Sequence, residues 1–194
     1  MSQGKQAKVL TTKQVEVVLD HVSRTRHPER NRVFVLLSTK AGLRAKEISA
    51  LTWAMVTDAD GRVADAIHLT DTASKGKGGG RTIPLNPLLR DALEVLHVKV
   101  QPRPAQHVAA SERGHYTAAT MATWFYDLFK TLGLHGASSH SGRRTFITNA
   151  ARKISQVGGS LRDVQQLAGH SSLATTQRYI EGDTDAKRKL ISLL

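Results

Sequence analysis

The sequence of 194 residues contains no cysteine. This absence excludes disulfide bonds, thiolate zinc sites and cysteine nucleophiles, and it fits a reducing compartment. Long apolar runs are also missing, since the longest unbroken one, 33–37, is far shorter than the roughly 20 residues that span a bilayer. The first ten residues contain no apolar stretch of signal-peptide length. We therefore expect a cytoplasmic protein with no membrane partner.

Acidic residues are scarce. The chain has 16 Asp and Glu against 28 Lys and Arg, which gives a formal net charge of +12 and an isoelectric point near 10.4. Such a balance indicates a polyanionic partner, with nucleic acid as the first candidate and an anionic membrane surface as the second. The sequence has neither a phosphate-binding Gly-x-x-x-x-Gly-Lys-Ser/Thr loop nor clustered carboxylates for magnesium, so we expect no cofactor and no metal.

Apolar residues recur at helical spacing in most of the chain, which predicts a mainly helical fold. The first helix should follow a cap at Thr11 or Thr12, and a second should follow Pro28 and end at Gly42, a plausible C-cap. A third helix should begin near Arg44. Further helices are expected over 87–98, 121–132, 143–157, 160–167 and 172–179.

The stretch 58–87 has a different character. Two runs with strand composition, 66–70 and 81–85, flank the glycine-rich sequence KGKGGGR, which is typical of an antiparallel hairpin. A third strand is expected at 107–111, after two prolines. The sequence therefore predicts an α+β fold that is mainly α-helical and carries a small antiparallel β-sheet. Its length and its 40% hydrophobic content suit a single domain spanning 1–194.

Four short segments carry the reactive side chains: AGLRAKEI at 41–48, SKGKGGGRTIPL at 74–85, HSGRR at 140–144, and LAGH at 167–170 with a tyrosine nine residues after its histidine. In this order they resemble the catalytic domain of the tyrosine recombinases, the family of phage integrases and Xer-type resolving enzymes. The resemblance covers nearly the whole chain. It implies a tyrosine-recombinase catalytic core that acts on double-stranded DNA.

The resemblance also implies roles for single residues. Six positions match catalytic residues of the family: Arg44, Lys75, His140, Arg143, His170 and Tyr179. Tyr179 matches the nucleophile, the two arginines match the phosphate-binding pair, and Lys75 matches the hairpin lysine, for which Lys77 remains an alternative. DNA contacts are expected from Lys77, Arg81 and Arg144.

The chemistry of phosphodiester exchange explains why such residues would gather. Nucleophilic attack builds extra charge on the non-bridging oxygens, which planar guanidinium groups bind bidentately without losing their own charge. Phenols ionise only near pH 10, so a tyrosine nucleophile needs a local base or a strongly cationic site. His140 is the expected proton partner, His170 the expected hydrogen-bond partner of a phosphate oxygen, and the hairpin lysine the acid for the departing 5′ oxygen.

Each segment alone has a simpler interpretation. Arg44 could be a surface residue paired with Glu47, the glycine-rich segment a solvated loop on DNA backbone, and Tyr179 a packed aromatic residue. Three histidines could be imagined as metal ligands, although no metal-binding pattern supports them: His135, His140 and His170. The joint spacing favours the catalytic interpretation, in which Glu47 orients Arg44.

Some positions depart from the family pattern. Gly142 stands where leucine is usual, Arg144 stands where a second histidine is common, and Gly158 and Gly159 lengthen the connection to His170. No residues remain for the N-terminal core-binding domain with which many relatives clamp DNA. The chain would then be either a minimal recombinase or an excised catalytic domain.

The two ends of the chain carry separate expectations. Residues 1–9 should be disordered. The segment 180–194 is basic and ends in apolar residues, and the resemblance implies that it docks on a neighbouring subunit, although it could also fold back on its own core. We expect a tetramer on DNA, with accessory DNA-bending proteins as further candidate partners.

The predicted activity is integrase-like, site-specific DNA recombination through a 3′-phosphotyrosine intermediate. Two alternatives remain. A type IB topoisomerase would use the same chemistry to relax supercoils. A catalytically silent DNA-binding regulator would keep the fold without turnover.

Overall fold

The computed structural model describes residues 7–74, 80–179 and 191–192. Within those ranges the α-helices are α1 (Thr12–Ser23), α2 (Pro28–Lys40), α3 (Ala45–Ala50), α4 (Pro87–Val100), α5 (Ala118–Thr131), α6 (Ser141–Lys153), α7 (Leu161–Ala168) and α8 (Leu173–Gln177). The strands are β1 (Ala66–Leu69), β2 (Arg81–Pro84), β3 (Ala110–Ser111) and β4 (Gly114–His115). The predicted α+β fold, mainly helical with a small antiparallel sheet, is confirmed. No helix in these ranges is long and apolar enough to cross a membrane.

Helix α2 forms the centre of the main core. Every residue from 33 to 39 is buried, because α1, α4 and α6 all pack against this helix. The capping box of Thr11 and Gln14 starts α1 and turns its valine stripe toward α2. Gly42 follows the end of α2 with a φ of +66°, and a β-carbon there would collide with the ring of Phe146. Glycine is therefore needed at the point where the chain turns toward Arg44.

Strands β1 and β2 form the predicted antiparallel hairpin. Ile67 pairs with Ile83, and both side chains are buried beneath the ribbon. The connection 75–79, which includes Lys75 and Lys77, lies outside the described residues. The expectation of a third strand at 107–111 was wrong for this sheet. Strand β3 pairs with β4 in a separate hairpin, while the Val108 amide donates to the Leu51 carbonyl at 2.8 Å instead of joining β1 or β2.

The described part of the N-terminal segment is held against the core. The Lys8 amide donates to the Gly136 carbonyl at 3.1 Å, and the Leu10 amide donates to Thr145 Oγ1 at 2.8 Å. Leu10 itself is buried. Residues 7–9, for which the sequence predicts disorder, are the described part of that segment, and the Lys8 amide contact joins them to the core. Apart from 191–192, the C-terminal segment 180–194 lies outside the described residues.

Gly142 brings α6 into close contact with α2. A β-carbon at this position would lie 2.8 Å from Ser38 Cβ and would also collide with Ser38 Oγ. Ser38 and Gly142 are both buried. The glycine therefore permits the close packing of two helices, one of which carries Arg143.

Replacing Gly142 with alanine is expected to lower the free energy of unfolding by about 1–3 kcal/mol, since the added methyl group overpacks the helix contact. At an open helix site the same change would instead stabilise by up to about 1 kcal/mol. Urea denaturation measures the difference. Combining Gly142→Ala with Ser38→Gly should recover part of the loss, and a stabilising Gly142→Ala would contradict the close approach.

A second, smaller apolar cluster lies beside the main core. It is built on Ile147 of α6 with Val164 and Ala168 of α7. The Tyr179 ring packs against this cluster. The C-terminal helices therefore place the tyrosine beside α6, where the sequence predicts the second phosphate-binding arginine.

Candidate active site

One cleft gathers five of the six side chains for which the sequence predicts a catalytic role. Its volume is about 960 Å³. The five that line it are Arg44, His140, Arg143, His170 and Tyr179. They come from the N-terminal ends of α3 and α6, from the turn after α7 and from the turn after α8. The sixth, Lys75, and its alternative Lys77 lie outside the described residues.

Arg143 is fixed by two backbone carbonyls. Its Nη1 donates to the Gly42 carbonyl and its Nη2 donates to the Ala168 carbonyl, both at 2.7 Å. The side chain is only 4% exposed. Burial, together with the positive charge of Arg44, lowers the pKa of Arg143 to about 10, so the group remains cationic at neutral pH. The Ala168 contact also joins α6 to the turn that carries His170, despite the longer connection between them.

Glu47 is a buried carboxylate held by two arginines. The Arg44 amide and its Nη1 donate to Glu47 at 2.8 and 2.7 Å, and Arg81 donates to both carboxylate oxygens at 3.0 and 3.1 Å. Burial raises the pKa of Glu47, but hydrogen bonds and charge from Arg81 and Arg44 outweigh it and leave the pKa below its ordinary value. Glu47 is therefore an anion that orients Arg44, which remains 30% exposed to the cleft.

Arg81 faces into the protein. We expected a DNA contact, but its side chain is only 8% exposed, and its Nε donates to the Leu167 carbonyl at 2.9 Å in addition to the Glu47 bonds. A β-carbon on Gly169 would lie 2.8 Å from Arg81 Nη1. Arg81 thus ties β2, at the end of the lysine hairpin, to Glu47 and to the turn before His170.

Replacing Arg81 with methionine is expected to lower the free energy of unfolding by about 3 kcal/mol, because it removes one of two partners from a buried carboxylate. Chemical denaturation measures this loss. Arg62→Met is the matched control, since Arg62 is exposed and its replacement makes the same charge change. If Arg81 only contacted DNA, its replacement would weaken DNA binding, and the variant would be as stable as the Arg62→Met control.

His170 is a neutral imidazole. Burial first, and then the charges of Arg143, Arg44 and Arg81, lower its pKa to about 4. Its Nδ1 lies 3.0 Å from Oγ1 of Thr176, which is fully buried. When Nδ1 accepts the threonine proton, Nε2 carries the ring proton and can donate it to an oxygen in the cleft. The role of Thr176 is not predicted from the sequence, where its only signal is a small polar residue six positions after the histidine.

The Tyr179 ring contacts two polar side chains. Its centroid lies 5.6 Å from that of His170, with the rings nearly parallel, and 5.7 Å from Cζ of Arg144. The ring is half-buried, and the tyrosine amide donates to the Thr176 carbonyl at 3.1 Å. His140 lies at the exposed mouth of the cleft, at the N-terminus of α6. The Tyr179 ring thus lies against His170 and Arg144 in the cleft that Arg44 and Arg143 also line.

The cleft suits one reaction class. Arginines that stay charged at neutral pH, a neutral hydrogen-bonding imidazole and a phenol surround one space, which is the set needed to bind a phosphodiester and attack it. No three His, Asp or Glu side chains come together as metal ligands in the described part of the chain. The cleft can therefore accept a phosphate group among cationic side chains.

The chain is similar to known proteins along most of its length. The model of the phage integrase family matches residues 8–185. The tyrosine recombinase XerA of Pyrococcus furiosus is 28% identical over 177 residues, which is 89% of this chain and 56% of XerA. The tyrosine recombinase XerD of Brucella abortus is 34% identical over 127 residues, which is 61% of this chain and 40% of XerD. The chain spans about half the length of the curated relatives it matches.

Solved structures show the same fold. A crystal structure of XerA recombinase superposes with a TM-score of 0.74 at 23% identity, covering 95% of this chain and 64% of that one. The Tn1549 transposon integrase, in complex with a circular intermediate DNA, gives 0.73 at 21% identity and covers 100% of this chain and 68% of that one. These similarities confirm the predicted fold, that of a tyrosine-recombinase catalytic core.

Proposed function

Because this chain belongs to the phage integrase family, we propose that it is a tyrosine-type site-specific recombinase. It cuts and rejoins double-stranded DNA through a 3′-phosphotyrosine link. The observation that carries this proposal is the single cleft shared by Arg44, His140, Arg143, His170 and Tyr179.

Arg143 and Arg44 bind the scissile phosphate in this mechanism. The two carbonyl bonds of Arg143 use two of the five guanidinium N–H groups and leave three for non-bridging oxygens. Arg44, oriented by Glu47, supplies a second guanidinium group in the same cleft. Nε2 of His170 adds a neutral donor. These groups stabilise the charge that grows on phosphorus-bound oxygens during attack.

Tyr179 attacks the phosphorus, and His140 takes the phenol proton. The new bond joins the phenol oxygen to phosphorus, and the bond from phosphorus to the 5′ oxygen breaks. The 5′ oxygen then needs a proton, which we assign to Lys75, with Lys77 as the alternative. Both ends of the segment 75–79 lie beside the site, since Lys46 donates to the Ser74 carbonyl at 3.4 Å and Arg81 binds Glu47. One phosphoester replaces another, so the reaction needs no ATP.

DNA is the partner that the charge of the chain supports, with a net +12. The solved relatives include XerH bound to difH substrate and the Tn1549 integrase bound to circular intermediate DNA. On that basis we propose that this chain binds double-stranded DNA. The proposal also includes a tetramer that assembles on DNA through 180–194, accessory DNA-bending proteins as partners, and a location in the cytoplasm.

A nicked suicide substrate tests the activity. Duplexes built from inverted repeats beside the gene carry a nick just downstream of the cleavage point. The short fragment that bears the free 5′ hydroxyl then diffuses away after attack, so a recombinase accumulates as a denaturation-resistant adduct. DNA binding without an adduct would favour the silent regulator. Relaxation of a supercoiled plasmid that lacks paired sites would favour the topoisomerase.

A further inference from the structure

Arg144 is bound differently from its neighbour Arg143. Its guanidinium carbon lies 5.7 Å from the centre of the Tyr179 ring. Its Nε is buried and has no hydrogen-bond partner within residues 7–74, 80–179 and 191–192. Burying a cationic donor without a partner is unfavourable, and contact with the face of an aromatic ring offsets part of that cost. The ring is therefore a main partner of this guanidinium in the described structure.

The position of Arg144 relates it to the reaction as well as to the ring. Arg144 and Tyr179 both line the active-site cleft. The same two residues, with Thr175 and Arg178, also line a smaller cleft of about 230 Å³. Arg144 and Tyr179 thus lie together between the two clefts, and each contributes to the lining of both.

We propose that Arg144 is a positioning residue for the nucleophile. Its guanidinium holds the Tyr179 ring in the cleft and stabilises the negative charge that develops on the phenol oxygen as the proton leaves. Arginine keeps its own proton throughout, so Arg144 is not the base, and the proton still passes to His140. This inference rests on the function proposed above.

The sequence predicted a DNA contact for Arg144, and such a contact would give different experimental results from a positioning role. A phosphate contact changes affinity and its salt dependence, while the single-turnover rate at saturating protein stays the same. A positioning role changes the rate at saturation and its dependence on pH. Other charged or titratable groups also line the two clefts, and they come from the N-terminal segment, α3, α5 and the loop after it, α6, the turn after α7 and the end of α8: Lys8, Arg44, Tyr126, His135, His140, Arg143, His170 and Arg178.

The test compares Arg144→Met and Arg144→Lys with wild type in single-turnover cleavage of the nicked substrate at saturating protein, from about pH 6 to about pH 10, the range in which His and Tyr titrate. Lys153→Met is the matched control, because Lys153 is exposed on the same helix and the change removes the same charge. DNA affinity at several salt concentrations is measured in parallel. Thermal unfolding shows whether each variant is folded.

Arg144→Met is expected to slow cleavage at neutral pH by about 30-fold, the size of a desolvated cation–π contact. The loss should shrink at high pH, where phenols ionise without help, so the pH of half-maximal rate moves upward. Arg144→Lys should retain an intermediate rate, and Lys153→Met should match wild type at saturation.

Two results would overturn the inference. If Arg144→Met cleaves at the wild-type rate and pH profile when saturated, and only its affinity and salt slope change, Arg144 is a phosphate contact. If wild type forms no adduct at all, the proposed recombinase function fails and this inference fails with it. If the wild type forms the adduct and the Arg144→Met variant is unaffected, the proposed recombinase function stands and only the positioning role of Arg144 is wrong.

Discussion

Replacing Arg143 with lysine is expected to slow strand cleavage by a factor of about 10³, comparable to removing a preorganised donor from an oxyanion site. Lysine keeps the positive charge but lacks the planar, forked set of N–H donors of the guanidinium group. A lysine ammonium has a single nitrogen and cannot reach the carbonyls of Gly42 and Ala168 while also presenting paired N–H groups to a phosphate. The variant would therefore bind DNA and react slowly.

The measurement is single-turnover cleavage of the suicide substrate at saturating protein, with DNA affinity determined separately. The lysine leaves at least one buried carbonyl without a donor, which costs about 1–3 kcal/mol of stability, so the assay is run well below the unfolding temperature of the variant. Arg62→Lys serves as the matched control, since Arg62 is exposed and the change likewise replaces a guanidinium with an ammonium while keeping the charge. A lysine variant that cleaves within about tenfold of wild type, a difference of only about 1.4 kcal/mol in activation free energy, would show that the fork is not needed.

Replacing Tyr179 with phenylalanine is expected to abolish the covalent adduct completely. Phenylalanine keeps the ring that packs on His170 and Arg144, and it removes only the attacking oxygen. DNA affinity and stability should therefore remain close to those of wild type. The loss cannot be compensated by pH, because no ionisable oxygen remains.

The chain offers a matched control for this substitution. Tyr126 lines the same cleft and is 56% exposed, so Tyr126→Phe removes a phenol oxygen from the same space. We expect this variant to form the adduct at the wild-type rate. An adduct that persists in Tyr179→Phe, or one that disappears in Tyr126→Phe, would assign the nucleophile elsewhere.

Local signals carried most of the fold prediction. Helix α1 begins at the capping threonine, and α2 ends just before Gly42, whose backbone conformation favours glycine. The hairpin of β1 and β2 follows from two strand-like runs around a glycine-rich connection. The prediction that five reactive residues gather came from their spacing against a known family, and the cleft brings those five together.

Contacts between distant parts of the chain could not be read from the sequence. Arg81 meets Glu47 from 34 positions away and the Leu167 carbonyl from 86 positions away, so nothing local distinguishes it from a surface arginine on a DNA-binding hairpin. The hydrogen bond from Val108 to the carbonyl of Leu51 also joins distant positions and could not be predicted from local sequence. The expectation that this segment adds a third strand to the sheet therefore failed. Gly142, which interrupts a helical pattern, is explained only once Ser38 faces it.

The most direct test of the central claim is to find the atom that carries the DNA. The trapped wild-type adduct is digested with protease and nuclease, and the modified peptide is sequenced by mass spectrometry. We expect a residual nucleotide joined through its 3′ phosphate to the oxygen of Tyr179. A nucleotide on any other side chain, or a 5′ phosphate linkage, would contradict the mechanism.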